Sequence, residues 1–449
     1  MRSWAMQGVA RRHAGVTLIE LMVAMVLGLI VAAGIVSVFL STSKSNRVQN
    51  QMARLQEEGR FAVTRLKDEL RMANSQYCTN SGGVAKAAPT SQVYLDGLRS
   101  PKVYAKGGKT VTGAMADVTT GWGSTSGTNT YPSEPTAAYS FPSYLSMRGY
   151  DCGKTTCAPD DPNRTVPAIP AMGTALNKRV VGTDVLTLRY MDSSRGWSVV
   201  APGVTGTHLA VSASSPNIIQ SITLAQAISS EPPASDFASG HLAVLADCSA
   251  AQVFAVAKAS STVLTPDSSN NYGAPAPQQP LSAPKVFDFN TDYQTVTYYV
   301  KVIDNGNGQR TGALIRRVNG TDQELVRGVE RLDFRYGVQD ASGTIRYMHA
   351  GDVDKATGIT CPPGEPQAIT TAGCLWRAVA TIEVNLVMDG QDPLYTLTAA
   401  DLAYSYAIDG NYTPVAPSAH AIKPSDQGFV DPLIRREFTA VVAVHNFNP

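Results

Sequence analysis

The sequence has little charge for its length and no excess of basic residues. Charged side chains make up 16% of its 449 residues, and the formal net charge at pH 7 is +1. Three arginines, Arg2, Arg11 and Arg12, precede Gly15, so a chain that begins at Val16 keeps 34 of the 37 basic residues against 36 acidic ones. Nucleic-acid binding requires a basic surface, and we therefore expect no nucleic-acid partner.

The residue patterns of metal centres and active sites are also missing. No Cys-x-x-Cys pair occurs, and no two of the six histidines have the spacing of metal ligands. Residues 304–308, with the sequence DNGNG, could bind calcium, but this pattern is more typical of a hairpin turn. We therefore expect no enzymatic activity, no cofactor and no metal.

Proline is missing from the whole chain before Pro89, which favours one long helix. Residues 16–40 are mostly apolar and carry no charge except Glu20, and about 25 residues of helix are enough to cross a bilayer. Beyond them, apolar residues recur at spacings of three, four or seven, which places them on one helical face. They are Val48, Met52, Leu55, Ala62, Leu66, Leu70 and Ala73. The pattern predicts a transmembrane half over residues 16–40 and an amphipathic half over residues 41–75.

A cleaved secretory signal would also begin with a basic leader and an apolar run. Here the apolar run is longer than the usual signal core, and no small-residue cleavage site followed by a loop closes it. We therefore expect the helix to remain in the membrane. Its basic flank, Arg11 and Arg12, should stay in the cytoplasm while the rest of the chain is exported.

The number of cysteines is even, which suggests disulfides in an oxidising compartment. The pairs that are closest in sequence, Cys152 with Cys157 and Cys361 with Cys374, are the preferred bridges. This choice leaves Cys78 to pair with Cys248, although six cysteines permit other connectivities.

The remainder of the chain divides into two regions by composition. Residues 76–285 are rich in glycine, serine, threonine and proline, which predicts a loop-rich region with short strands such as 185–190, 218–224 and 241–246. Residues 286–449 alternate in polarity and predict an antiparallel β-sheet. The apolar face is expected to comprise Leu332, Phe334, Tyr336 and Val338, then Ile382, Val384, Leu386 and Met388, and finally Phe438, Ala440, Val442 and Val444. Such a face needs a cover, and the amphipathic half of the helix is the natural candidate.

Residues 15–20, GVTLIE, with a basic leader before them and an apolar helix after them, resemble the prepilin cleavage and methylation motif. This motif is found in type IV pilins and in type II secretion pseudopilins. The resemblance implies that a prepilin peptidase removes the leader, residues 1–15, by cutting between Gly15 and Val16. It also implies methylation of the new amine of Val16, which stands where the family usually has phenylalanine.

Glu20 is the one carboxylate in the apolar half of the helix. An ionised group among lipid tails is costly unless it is paired. The N-terminal amine of a neighbouring subunit would supply the counter-charge and would favour one axial stagger between helices. The alternative is that the Glu20 side chain only reaches back to the cytoplasmic interface.

The C-terminal region is similar to PilW-type minor pilins and, more distantly, to the large minor pseudopilin of type II secretion. The similarity lies in the order of four segments. They are VTYYVKVI at 296–303, ALIRRV at 313–318, ELVRGVERLDFRYGV at 324–338 and REFTAVVAV at 436–444.

Together the two resemblances imply an α+β, pilin-like fold, in which one long N-terminal helix packs on a C-terminal antiparallel sheet with a large loop-rich β insertion. They imply a minor pilin that helps to initiate pilus assembly at or near the tip. The implied partners are the prepilin peptidase, other minor pilins and the major pilin, with a large tip adhesin as a further candidate. The chain would first span the inner membrane once, with its C-terminal part in the periplasm, and would then enter the pilus at the cell surface. A type II secretion pseudopilin and a pilin-anchored adhesin are the alternatives.

Overall fold

The computed structural model describes residues 15–77, 85–87, 93–95, 101–118, 120–126, 129–164, 169–199, 208–247, 251–277, 283–306, 308–340, 342–361 and 372–444. Residues 1–14 of the predicted leader therefore lie outside the described part of the chain. The chain divides into two compact units, Met1–Arg54 and Leu55–Pro449.

The predicted long helix is present as α1, Leu18–Leu70, which has 53 residues. It ends earlier than the predicted residue 75, because residues 71–74 form turns and Asn74 adopts a left-handed conformation with φ of 63°. A residue in that conformation cannot continue a right-handed helix. By length and composition α1 can cross a membrane.

The other α-helices are short. They are α2 Val111–Ala114, α3 Ser143–Ser146, α4 Phe289–Asp292, α5 Ala350–Lys355, α6 Ala399–Leu402 and α7 Pro424–Gln427.

The described strands number 25. From the first part of the chain they are β1 Ala85–Ala87, β2 Val93–Leu95, β3 Lys102–Val103, β4 Thr125–Ser126, β5 Asn129–Thr130, β6 Tyr139–Ser140, β7 Met147–Cys152, β8 Cys157–Ala158, β9 Val185–Met191, β10 Trp197–Ser198, β11 Leu209–Val211, β12 Ile219–Thr223, β13 Leu242–Ala246, β14 Ala251–Lys258 and β15 Val263–Pro266. The later strands are β16 Lys285–Asp288, β17 Tyr293–Asp304, β18 Arg310–Val318, β19 Thr321–Arg327, β20 Val329–Gln339, β21 Ile345–Met348, β22 Val379–Asp389, β23 Tyr404–Tyr406, β24 Asn411–Val415 and β25 Arg435–Ala443.

Two antiparallel sheets, together with one face of the sheet that the middle of the chain forms, surround the main apolar core. The central sheet has the order β19-β18-β17-β9-β7-β8, and the C-terminal sheet has the order β21-β20-β22-β25. The predicted hairpin at residues 304–308 joins β17 to β18, with Asp304 opposite Arg310. Strands β7 and β9 come from the region that looked rich in loops, yet they complete the central sheet beside β17.

The middle of the chain forms a separate sheet, which we call the insertion sheet. Its strand order is β10-β16-β13-β14-β15-β12-β11, and β3 joins it by parallel pairing with β14. The insertion sheet has an apolar cluster of its own, which includes Trp197, Phe237 and Phe254.

The last turns of α1 pack into the main core, as the amphipathic pattern predicts. Five of the predicted positions are buried with an exposed fraction of 1% or less, namely Leu55, Ala62, Leu66, Leu70 and Ala73. They belong to the same apolar cluster as Leu332, Phe334, Leu386 and Val442 of the C-terminal sheet. The prediction of one helix covering an antiparallel sheet is therefore confirmed.

Gly59 allows the helix and the C-terminal sheet to approach closely. It is buried, and a Cβ added there would lie near ring atoms of Phe438 on β25, only 2.5 Å from its Cε1. The Phe438 ring therefore rests against the backbone of α1. Glycine normally destabilises the interior of a helix, so this contact supplies a packing reason for it.

We expect Gly59→Ala to lower the free energy of unfolding by about 1–3 kcal/mol, because the added methyl group overpacks this contact. The gain in helix propensity, about 1 kcal/mol, works in the opposite direction. Denaturant unfolding of the full chain in detergent measures the difference. Thr64→Ala, at an exposed position of the same helix, is the control. A Gly59→Ala protein as stable as wild type would contradict this packing, and adding Phe438→Leu should recover part of the loss.

Candidate assembly site on the long helix

The start of α1 is fixed by reciprocal hydrogen bonds between Thr17 and Glu20. The Thr17 hydroxyl accepts a bond from the Glu20 N–H at 3.3 Å. Glu20 Oε2 in turn accepts bonds from the N–H and the hydroxyl of Thr17, each at 3.0 Å. This arrangement is a capping box, which satisfies N–H groups at the first turn of a helix.

The predicted cleavage site lies just outside the helix. Gly15 and Val16 precede the capping residue Thr17, and both are exposed. A Cβ added at Gly15 would have no neighbour within 4 Å. Among the described residues, none hydrogen-bonds to or covers the peptide bond between Gly15 and Val16.

Glu20 is exposed at the helix start, where its side chain has a local function that the sequence argument missed. The capping box occupies Oε2, and no described residue donates a hydrogen bond to Oε1. The carboxylate is therefore oriented by its own helix and has a second oxygen directed to its surroundings. The Thr-x-x-Glu spacing was the signal that could have indicated this.

The apolar half of α1 presents side chains in all directions. Its large apolar residues between Val16 and Leu40 have exposed fractions from 49% to 77%. Gly28 and Gly34 have no neighbour within 4 Å of an added Cβ. This surface is suited to lipid tails or to other apolar helices, since each provides an environment without water.

At the other end of α1, the buried carboxylate of Glu69 binds three strands of the central sheet. It accepts hydrogen bonds from Arg316 of β18, at 2.7 Å from Nε to Oε2, and from Tyr190 of β9 at 2.6 Å. Arg316 Nη2 and the Tyr298 hydroxyl of β17 complete the set. Burial favours the neutral carboxyl, but these four hydrogen bonds outweigh it and lower the pKa of Glu69.

Two of the predicted disulfides are confirmed. Cys152 and Cys157 are bonded across the β7–β8 hairpin, and Cys361 is bonded to Cys374, the first residue of a 3₁₀ helix, Cys374–Ala378. Both bridges close short loops, with sequence separations of 5 and 13 residues.

The third predicted pair, Cys78 with Cys248, lies outside the described residues.

The loop at residues 304–308, the calcium alternative, has the hydrogen bonding of a turn. The Gly306 N–H donates to Asp304 Oδ1 at 2.7 Å, and the Asn305 N–H donates to the carbonyl of Gln309 at 3.0 Å. These bonds close the hairpin through the Asp304 carboxylate, as an Asx-type turn does.

Comparison with known families gives two matches. A family model described as Type IV Pilus-assembly protein W matches residues 297–446, and one described as Prokaryotic N-terminal methylation motif matches residues 10–36. No curated protein and no solved structure matches the chain. Apart from Val296, the matched ranges contain residues 15–20 and the four C-terminal segments on which the two sequence resemblances rest, and the resemblance to a PilW-type type IV minor pilin is confirmed.

If the bridges form during export, alkylation of the unreduced protein should label no thiol, and reduction should expose all six. Mass spectrometry of the labelled peptides shows which cysteines of each pair react before and after reduction. Loss of the bridge between Cys361 and Cys374 should cost about 2–3 kcal/mol of unfolding free energy in the chain-entropy model. A chain kept in the cytoplasm is the control and should label without reductant. Full labelling of the exported chain without reductant would contradict the disulfide framework.

Proposed function

We propose that this chain, whose two ends match the prepilin methylation motif and the PilW domain, helps to initiate type IV pilus assembly and sits at or near the pilus tip. The two matches support a type IV minor pilin, and the pilin and PilW families are structural. The observation that carries the proposal is their presence on one chain, together with a helix that is apolar and exposed in its first half and has buried residues in its last turns.

The first step of the proposed function is processing by a prepilin peptidase. The enzyme cuts between Gly15 and Val16 and methylates the amine of Val16. The open backbone ahead of the capping box supports this assignment, because a peptidase must bind the bond in an extended form. Processing frees a cationic N-terminus only a few residues from the Glu20 carboxylate.

Glu20 then guides the entry of the chain into a filament. Its carboxylate is oriented by Thr17 and pairs with the N-terminal amine of a neighbouring subunit. In lipid a charge is costly without its partner, so the pair favours the stagger at which both are satisfied. Other minor pilins and the major pilin are the subunits that supply such amines. Before assembly the chain is anchored in the inner membrane with its sheets in the periplasm.

An adhesin anchored by a pilin helix is a second candidate. It is favoured by the insertion sheet, which packs one face into the main core and has a second apolar cluster on its other face, so that it adds a substantial folded part to the pilin-like region. The secretion pseudopilin alternative receives less support, since the C-terminal match is to a pilus-assembly family.

Gly15→Val should leave the leader attached, because the branched side chain enters a position where the peptidase subsite accepts none. Intact-mass measurement of the membrane-bound chain distinguishes the two forms. Gly28→Val, which changes a glycine within the apolar helix, is the control and should be processed normally. Recovery of the Gly15→Val protein with Val16 at its N-terminus would refute the assignment of the cleavage site.

Glu20→Leu should leave membrane insertion and leader removal intact but reduce co-purification of other pilins and surface piliation. The helix is apolar enough to insert without Glu20, whereas a neighbour's amine would lose its counter-charge. A position at the extreme tip would make the effect smaller, since no subunit lies ahead. Leader cleavage, membrane level and co-purified pilins are measured side by side.

Thr17→Val provides the matched control, because it removes the hydroxyl of the capping box while it keeps the carboxylate. If Glu20 acts between subunits, Thr17→Val should retain most of the co-purification that Glu20→Leu loses. Equal loss in both variants would assign Glu20 to its own helix start. Unchanged co-purification and piliation in Glu20→Leu would show that the carboxylate only reaches the interface.

A further inference from the structure

The last strand, β25, forms one edge of the C-terminal sheet. It pairs with β22 on one side, and no other described strand pairs with it on the other side. An edge strand presents a row of N–H and C=O groups to its surroundings, and these groups form a template for another strand. The backbone groups of an open edge therefore select a partner that is itself an extended strand. An apolar face, by contrast, accepts any apolar surface.

The register shows which backbone groups of β25 point outward. The Val444 N–H donates to the carbonyl of Ala380 at 2.9 Å, and the pairing from Ala443 to Arg435 has no bulge. In an antiparallel ladder, alternate residues direct both backbone groups to the same neighbour. The N–H and C=O groups of Thr439, Val441 and Ala443 therefore point away from β22.

The open part of the edge has a defined beginning. The Ala407 N–H, next to β23, donates to the Glu437 carboxylate at 3.0 Å, so the β23–β24 hairpin lies beside the first residues of β25. Arg436 Nη1 donates to the outward carbonyl of Arg435 at 3.2 Å, which places the guanidinium at the edge. The open segment is therefore residues 439–443.

This segment lacks the devices by which proteins usually block an edge. Residues 439–443, TAVVA, contain no proline and no charge, and they are not bulged. By contrast, the exposed strand β24 contains Pro414, and the edge strand β21 has only 4 residues, with an exposed arginine, Arg346. Residues 439–443 therefore form an uncharged, unprotected pairing surface.

Alternate side chains of the same segment are exposed on the sheet face that points away from α1, whereas Val442 is buried on the other face. Val441 is 56% exposed, and Thr439 and Ala443 are also exposed. An open edge of this composition invites aggregation in water. Pairing with a partner would remove both the open backbone groups and the apolar surface from water.

We propose that residues 439–443 bind, by strand addition, an extended apolar segment of another subunit of the same pilus. The partner segment carries a carboxylate beside Arg436, which is exposed and has no carboxylate partner among the described residues. The outward N–H and C=O groups of Thr439, Val441 and Ala443 would fix the register of the partner strand. The partner's side chains that face Val441 and Arg436 would determine which segment binds. This inference rests on the proposed function, since a pilus supplies neighbouring subunits.

Val441→Pro tests the inference in the full chain. The substitution removes an N–H that points away from β22, so the ladder with β22 keeps its hydrogen bonds. Val441→Thr keeps the N–H and the β-branched shape and is the matched control. We expect Val441→Pro to retain leader cleavage and membrane level but to lose about tenfold in co-purified pilins relative to Val441→Thr. Arg436→Glu should weaken co-purification in the same direction.

A photo-crosslinking side chain at position 441 gives a second measurement that does not depend on the folding of the proline variant. We expect an adduct with another pilin, and none from the same side chain at position 412, which is exposed on β24. Equal co-purification of Val441→Pro and Val441→Thr, no adduct, or an adduct within the same chain would overturn the inference while leaving the proposed function intact. If the wild-type chain co-purifies with no pilin, both are overturned.

Discussion

The ion pair between buried Glu69 and half-buried Arg316 is the polar contact that links the end of the long helix to the central sheet. A carboxylate at the end of α1 reaches β9, β17 and β18 at once, because Tyr190 and Tyr298 donate to it beside Arg316. Losing one member of such a pair leaves a charge without a partner in the core, which is more costly than losing an apolar contact. The apolar stripe of the helix is buried in the main core, and this pair adds polar contacts to β9, β17 and β18 at the end of the stripe.

The sequence was sufficient for features that repeat locally. The stripe from Leu55 to Ala73, the apolar faces of β20 and β22, and the hairpin at residues 304–308 each follow from spacing and turn chemistry. The two local disulfides followed from proximity in the chain. The pairing of β9 with β17, and of β7 with β9, could not be predicted, because the first of these pairings joins residues that are far apart in sequence.

The residues of the candidate site at the start of the helix were predictable from the sequence, but the hydrogen bonds among them were not. The basic leader, Gly15 and Glu20 could be recognised from the sequence, because a segment that crosses a bilayer must be apolar and any charge within or beside it stands out. The role of Thr17 was missed, although the Thr-x-x-Glu spacing is a known capping signal. Glu69 was missed for a different reason. A carboxylate on an apolar helical face has meaning only when its partner is known, and Arg316 lies in a strand far along the chain.

The central claim is that this chain becomes a processed subunit of a pilus, and mass spectrometry of sheared pili tests it most directly. The account predicts that the chain is present in purified pili, is rare relative to the major pilin, and has a methylated Val16 at its N-terminus. A chain that is abundant in the membrane but absent from sheared pili, or that is found there with its leader attached, would contradict the account.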